Sequence, residues 1–274
     1  MITSKLPNVG TTIFTIMSKM AADHGAINLS QGFPNFPGDP VLIEMVSKAM
    51  KDGFNQYAPM PGDLKLREMI SNKLESLYRK NYDPTTEITV TAGATQAIFT
   101  AIAAIINAGD EVIVFAPAYD CYEPAIELFG GKSIPVQLNP PLFTPNWGEV
   151  EQKITSKTRM IVINSPHNPS GMVFTENDML ELQRLAEIHD LLVISDEVYE
   201  HIIFDGREHQ SAAKFDDLSN RTFITASFGK TFHNTGWKLG YCVAPKPLMK
   251  EFKKVHQYNV FSVNHPIQKG LAEY

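Results

Sequence analysis

From residue 87 onward, short apolar runs of the kind that make buried strands alternate with stretches of helical period, and that alternation leaves few folds open. The strand-like runs are 88–91, 111–115, 158–164, 191–195, 222–226 and 241–244, with helices expected over 96–106 and 176–189. Parallel strands need long crossovers, which helices supply. The pattern therefore predicts an α/β fold: a mainly parallel, mixed sheet with helices on both faces. In such sheets ligands bind beyond the carboxyl ends of the strands, so the residues following each run carry the most information.

Those residues are polar or glycine-rich. The run 88–91 leads into Gly93, Ala94 and Thr95 at a helix start, where free backbone N–H groups and the helix dipole favour an anion. After 111–115 comes Tyr119. After 158–164, Pro166 and Pro169 bracket Asn168 and hold its amide rigidly, with X-Pro bonds open to the cis form. Asp196 follows 191–195, and a carboxylate ending so apolar a run is costly to bury without a cation. The loop 227–240 holds Ser227, three glycines, Lys230 and Lys238. Lys230 is placed to act as an amine nucleophile and Lys238 as a cation for a phosphate. Taken singly, each feature is also what a turn glycine, an Asx turn or a solvated lysine looks like. Plain turns do not account for all of them falling at strand ends.

Upstream, residues 1–37 read as an arm: a short helix over 13–24, then a glycine- and proline-rich stretch in which Gly32 could approach a ligand or simply turn the chain. Residues 40–51 are amphipathic, and a second helix over 63–79 has Asp63 as its N-cap. Tyr57, in the loop between them, is either a packed aromatic or a hydroxyl donor to a ligand.

The net charge of -6 gives no reason to expect nucleic acid. No apolar run is long enough to span a membrane, and no secretory leader is expected at the start. The two cysteines, Cys121 and Cys242, have neither disulfide-framework nor zinc spacing, which fits a reducing cytoplasm. His167, His201, His233 and His256 show no metal-ligand spacing, so no metal site is expected. Glu197 and Glu200, beside Asp196, have no role that a motif assigns.

An imine-forming lysine, a phosphate cradle, an acid for a ring nitrogen, a ring partner and a phenol-oxygen donor together describe a site for pyridoxal phosphate. Gly93-Ala-Thr, the stretch 164–171, Ser195-Asp-Glu-Val-Tyr and Ser227-Phe-Gly-Lys-Thr, in this order, resemble the fold-type-I aminotransferases of class I/II. Asn28-Leu-Ser-Gln-Gly-Phe-Pro and Thr235-Gly-Trp-Lys-Leu-Gly-Tyr resemble the branch holding methionine aminotransferases and the kynurenine aminotransferase/glutamine transaminase K enzymes.

The resemblance implies an aspartate aminotransferase-like large domain over 38–262, and a ping-pong transfer of an amino group from an α-amino acid to a 2-oxo acid. It implies that Lys230 forms the imine with the cofactor and shuttles the substrate proton. Asp196 would pair with the ring nitrogen, Asn168 and Tyr199 would hydrogen-bond the phenol oxygen, and Tyr119 would stack on the ring. Gly93, Ala94, Thr95, Ser227 and Lys238 would surround the phosphate, and Gly32 and Asn168 would meet the substrate. Tyr57 would reach the neighbouring subunit's phosphate in a homodimer. Many relatives carry arginine where Lys238 stands, though this branch tolerates lysine. The family continues beyond the equivalent of Tyr274 into a smaller C-terminal domain bearing the arginine for the substrate carboxylate. Residues 263–274 are thus expected to begin a connection to a domain missing here. A carbon–sulfur β-lyase on the same fold and an inactive cofactor-binding protein are the rival expectations.

Overall fold

The computed structural model describes residues 2–32 and 35–274; Phe33 and Pro34, which close the phrase beginning at Asn28, lie outside the described residues. Its centre is a seven-stranded sheet in the order β1-β7-β6-β5-β4-β2-β3. The strands are β1 (Ile88–Thr91), β2 (Glu111–Ala116), β3 (Lys132–Gln137), β4 (Thr158–Asn164), β5 (Leu192–Asp196), β6 (Thr222–Ser227) and β7 (Gly240–Val243). Strands β3, β2, β4, β5 and β6 are mutually parallel, and β7 runs antiparallel between β6 and β1. The sheet is mixed, as the alternation predicts, and β1 points the same way as the parallel block. Asn164, Asp196 and Thr225 are register partners across β4, β5 and β6, so β4 and β5 end level and β6 runs two residues further.

The helices in chain order are α1 (Ile13–Asp23), α2 (Pro40–Lys51), α3 (Leu64–Tyr78), α4 (Ala94–Ile105), α5 (Tyr122–Leu128) and α6 (Trp147–Lys153). They continue with α7 (Glu176–Ile188), α8 (Asp216–Ser219), α9 (Phe228–Thr231), α10 (Lys246–Asn259) and α11 (His265–Glu273). Side chains of a strand alternate between faces, and here both faces are buried. Val112 and Val114 of β2 enter one core with α4, α5 and α10, through Ile98, Ile126 and Phe252. Ile113 and Phe115 enter the other, with α2, α3, α7 and α11, through Leu42, Leu66, Leu182 and Ile267. Burial on two sides explains why these strands read as unbroken apolar runs.

Local chemistry sets several boundaries. The Asp63 carboxylate accepts from the backbone N–H groups of Lys65 and Leu66 and caps α3, as expected. Thr175 and Asp178 cap α7 reciprocally. Helix α4 begins at Ala94, two residues before the expected 96, because Gly93 itself is the N-cap. Strand β5 ends one residue later than expected, which makes Asp196 its last residue. Strand β3 has no counterpart in the expectation: it is an edge strand with Pro135 inside it and polar residues at both ends. Ser165–Pro166 and Asn168–Pro169 are cis, as is Ala116–Pro117.

Candidate active site

At the carboxyl edge of the parallel strands lies a cavity of about 360 Å³. Gly32, Gly93, Ala94, Thr95, Tyr119, Asn168, Asp196, Tyr199, Ser227, Lys230 and Lys238 all line it. They come from six segments, the arm before α2 and the ends of β1, β2, β4, β5 and β6, which the sheet brings to one edge.

One end of the cavity suits an anion. Gly93 has φ 81, a left-handed conformation that glycine adopts without strain. It leads the chain into α4 so that the first N–H groups of the helix lack intrahelical acceptors. The Lys238 side chain lies alongside: a methyl group on Gly93 would sit 3.7 Å from Lys238 Nζ. Gly240 makes the close approach possible, since a Cβ there would come within 2.5 Å of the Ala226 carbonyl oxygen and 2.9 Å of the Ala94 nitrogen. The hydroxyl of Ser227 accepts from Gly229 N–H at 3.1 Å at the start of α9. Backbone donors, a hydroxyl and an ammonium are the donor set a phosphate requires.

The other end holds an acid. Asp196 is 2% exposed. Its Oδ2 accepts from Tyr122 OH at 2.6 Å and its Oδ1 from Val198 N–H at 3.3 Å. Burial pushes its carboxyl up to about 6, against the hydrogen bonds from Tyr122 and Val198; the charge of Glu197 adds to the rise and that of Lys230 opposes it. Among the described residues no cationic side chain forms an ion pair with it. A buried carboxylate that faces a cavity and has no ion-pair partner is the arrangement that fits a ligand bearing a protonated ring nitrogen.

Between the two ends stand the lysine and the aromatics. Lys230 Nζ lies 5.4 Å from the centroid of the Tyr199 ring. Burial first, and then the charge of Lys238, lower its ammonium below the ordinary lysine value, with Asp196 opposing. A lysine so placed gives up its proton more readily and is the better nucleophile. Burial, followed by the charge of Asp196, raises the Tyr199 phenol. The Tyr119 hydroxyl lies 3.3 Å from Thr95 Oγ1. Asn168 is fixed through its backbone N–H, which donates to Asn164 Oδ1 at 2.6 Å, while Asn164 Nδ2 donates to the Asp196 carbonyl at 2.9 Å.

Tyr57 does not line the cavity: it is 80% exposed, with its ring edge-on to Phe261 at 5.3 Å. His167 is buried but also outside the cavity, its Nδ1 2.7 Å from Ser170 Oγ. His256 is buried beside Gln96, its Nδ1 3.3 Å from Gln96 Nε2.

Sequence reasoning missed several residues. Phe14 of α1 lines the cavity, although α1 has no buried residue and its apolar period said nothing of a ligand. Tyr122 lies three residues beyond Tyr119, and only the packing of α5 against α4, β2 and β3 brings its hydroxyl to Asp196. Glu197 and Glu200 belong to a buried polar layer that holds the turn after Asp196. Glu197 accepts from Ser195 Oγ at 2.7 Å, from Ala212 N–H at 2.9 Å, and pairs with His209 Nε2 at 2.9 Å. Glu200 accepts from Tyr78 OH at 2.7 Å and from Lys73 Nζ.

Comparison with known proteins gives the architecture a family. The model of aminotransferase class I and II matches residues 24–273. The methionine aminotransferase of Escherichia coli is 50% identical over 270 residues, covering 98% of this chain and 70% of that protein. Human kynurenine–oxoglutarate transaminase 3 is 36% identical over 280 residues, covering 98% of this chain and 62% of its own length. A crystal structure described as identifying a methionine aminotransferase function in Escherichia coli superposes with a TM-score of 0.96 at 49% identity, over 100% of this chain and 71% of that one. The chain belongs to the class I and II aminotransferases, a family that depends on pyridoxal phosphate.

Proposed function

We propose that this chain moves an amino group from an α-amino acid to a 2-oxo acid with pyridoxal phosphate held in the cavity at the sheet edge. When bound, the cofactor supplies an electron-withdrawing ring that makes the substrate's Cα proton removable. The protein holds and steers that chemistry. Lys230 supplies the amine that tethers the cofactor and, once displaced by substrate, carries the proton at Cα. Asp196 keeps the ring nitrogen protonated, and Asn168 and Tyr199 donate to the phenol oxygen. Tyr119 covers the ring, while Gly93, the Ala94 and Thr95 amides, Ser227 and Lys238 hold the phosphate. Gly32 and Asn168 face the substrate carboxylate.

The observation that carries this reading is the buried carboxylate of Asp196, without an ion-pair partner among the described residues, in the same cavity as a lysine whose ammonium is depressed. Phe14 at the cavity wall supports an apolar or aromatic side chain on the amino donor, such as methionine or an aromatic amino acid; a glutamine-like donor belongs to the same reading. The exposed Tyr57 and Phe261 support a homodimer in which Tyr57 reaches the partner's phosphate site. Residues 1–37 act as an arm, 38–262 as the cofactor-binding body and 263–274 as the start of a connection. No helix among the described residues is long and apolar enough to cross a membrane, and free Cys121 and Cys242 support a reducing cytoplasm.

The test is amino-group exchange. The chain, loaded with pyridoxal phosphate, is incubated with methionine, phenylalanine, kynurenine or glutamine and a 2-oxo acid, and both products are followed. Paired appearance of a new oxo acid and a new amino acid is expected; its absence across the panel contradicts the proposal.

A further inference from the structure

We propose that Tyr122 is the positioning residue of this site: its buried hydroxyl aims the Asp196 carboxylate at the ring nitrogen and keeps that carboxylate ionised. The inference rests on the reading of Asp196 as the ring-nitrogen partner.

Tyr122 is the first residue of α5 and is 2% exposed. Its ring lies in the core that also holds Ile98, Ile126 and Ile194, so the phenol has little freedom to turn. The hydroxyl donates to Asp196 Oδ2 at 2.6 Å, in the range of a charge-assisted O–H···O⁻ bond. Val198 N–H holds the other oxygen, Oδ1, at 3.3 Å. Donors on both oxygens, from separate elements, set the plane of the carboxylate and leave its remaining lone pairs for the cavity. The same ring meets Tyr119 edge-on, with centroids 5.8 Å apart, so it also braces the aromatic that covers the ligand.

The electrostatic setting gives this bond its weight. The ionisable groups that bear on Asp196 are Tyr122 and Cys121 at the start of α5, Tyr119 in the loop before it, Lys230 of α9, and Glu197 and Tyr199 in the following turn. Of these only Lys230 is cationic, and Glu197 works against it. With Tyr122 in place the carboxyl already stands near 6. Without the phenol proton it moves further up, binds a proton itself near neutrality, and meets the ring nitrogen as a neutral group rather than a charge.

The test is cofactor affinity against pH for the full chain stripped of its cofactor, native and Tyr122→Phe. The native protein is expected to bind pyridoxal phosphate with an acid limb near pH 6. Tyr122→Phe is expected to bind about 10- to 100-fold more weakly at neutral pH, as for loss of a hydrogen bond to a charged group. Its acid limb should move up by about one pH unit or more. Ile126→Val, which loosens the packing of α5 without touching Asp196, should lower the melting temperature and leave the limb in place. Equal affinity and an unmoved limb in Tyr122→Phe overturn the assignment while the function stands. Failure of the native protein to bind the cofactor overturns both. If Tyr122→Phe does not fold, the carboxylic C=O stretch of Asp196 in the native protein, assigned by its loss in D196N, decides. It should appear only below about pH 6, and its presence at pH 8 contradicts the proposal.

Discussion

Asp196 is an expensive residue where it stands, and its cost has a definite pH dependence. Burial raises its carboxyl to about 6 from the ordinary aspartate value of 3.8, so the folded chain binds its proton more tightly than the unfolded chain does. The stability this contributes is present below about pH 4 and is lost as pH rises through the folded value near 6. Asp196→Asn removes the charge with little change of shape. In cofactor-free protein it should unfold at higher urea than the native chain at pH 8, by on the order of a few kcal/mol, and the two should converge near pH 4. A native protein as stable as Asp196→Asn at pH 8 contradicts this. Asp196 and Lys230 were legible in the sequence because a carboxylate ending an apolar strand and a lysine in a glycine-flanked turn are locally improbable. Tyr122 was not, because an aromatic on a short helix looks the same whether its hydroxyl meets a carboxylate or nothing.

At the scale of elements, periodicity carried the buried strands and the amphipathic helices, and tertiary contacts decided the rest. Helix α2 follows the expected bounds because its apolar stripe and the Asp39 cap agree. Strand β3 was invisible: at a sheet edge its outward residues are polar, and Pro135 breaks the pattern that marks a central strand. Helix α11 shows the same lesson from another side. It presses on α2 so closely that a Cβ on Gly270 would fall 2.4 Å from Val46 Cγ2 and 3.0 Å from the Val46 backbone nitrogen. Its Gln268 is fully buried and accepts from Asp63 N–H at 2.7 Å, fastening α11 to the cap of α3. Gly270→Ala should therefore destabilise the fold by about 1–3 kcal/mol through overpacking, although alanine is the better helix former. A melting temperature equal to or above the native value contradicts the close seating of α11.

For the molecule as a whole, the strand order could not be read from the chain, because each apolar run is equally content beside any other. The direction of the strands could, since helical crossovers impose it, and direction is what gathers the loops. Loops from β1, β2, β4, β5 and β6 open on one edge and bring the Gly93 cradle, Tyr119, Asn168, Asp196 and Lys230 around one cavity. The proposed role of this cavity is to hold pyridoxal phosphate through Lys230. The most direct measurement is to titrate the chain with the cofactor, follow the visible absorbance, reduce with borohydride and map the modified peptide. A visible band that reduction fixes on Lys230, and that Lys230→Ala lacks, is the predicted result. Cofactor fixed on another lysine, or no band in the native protein, would contradict the assignment of Lys230.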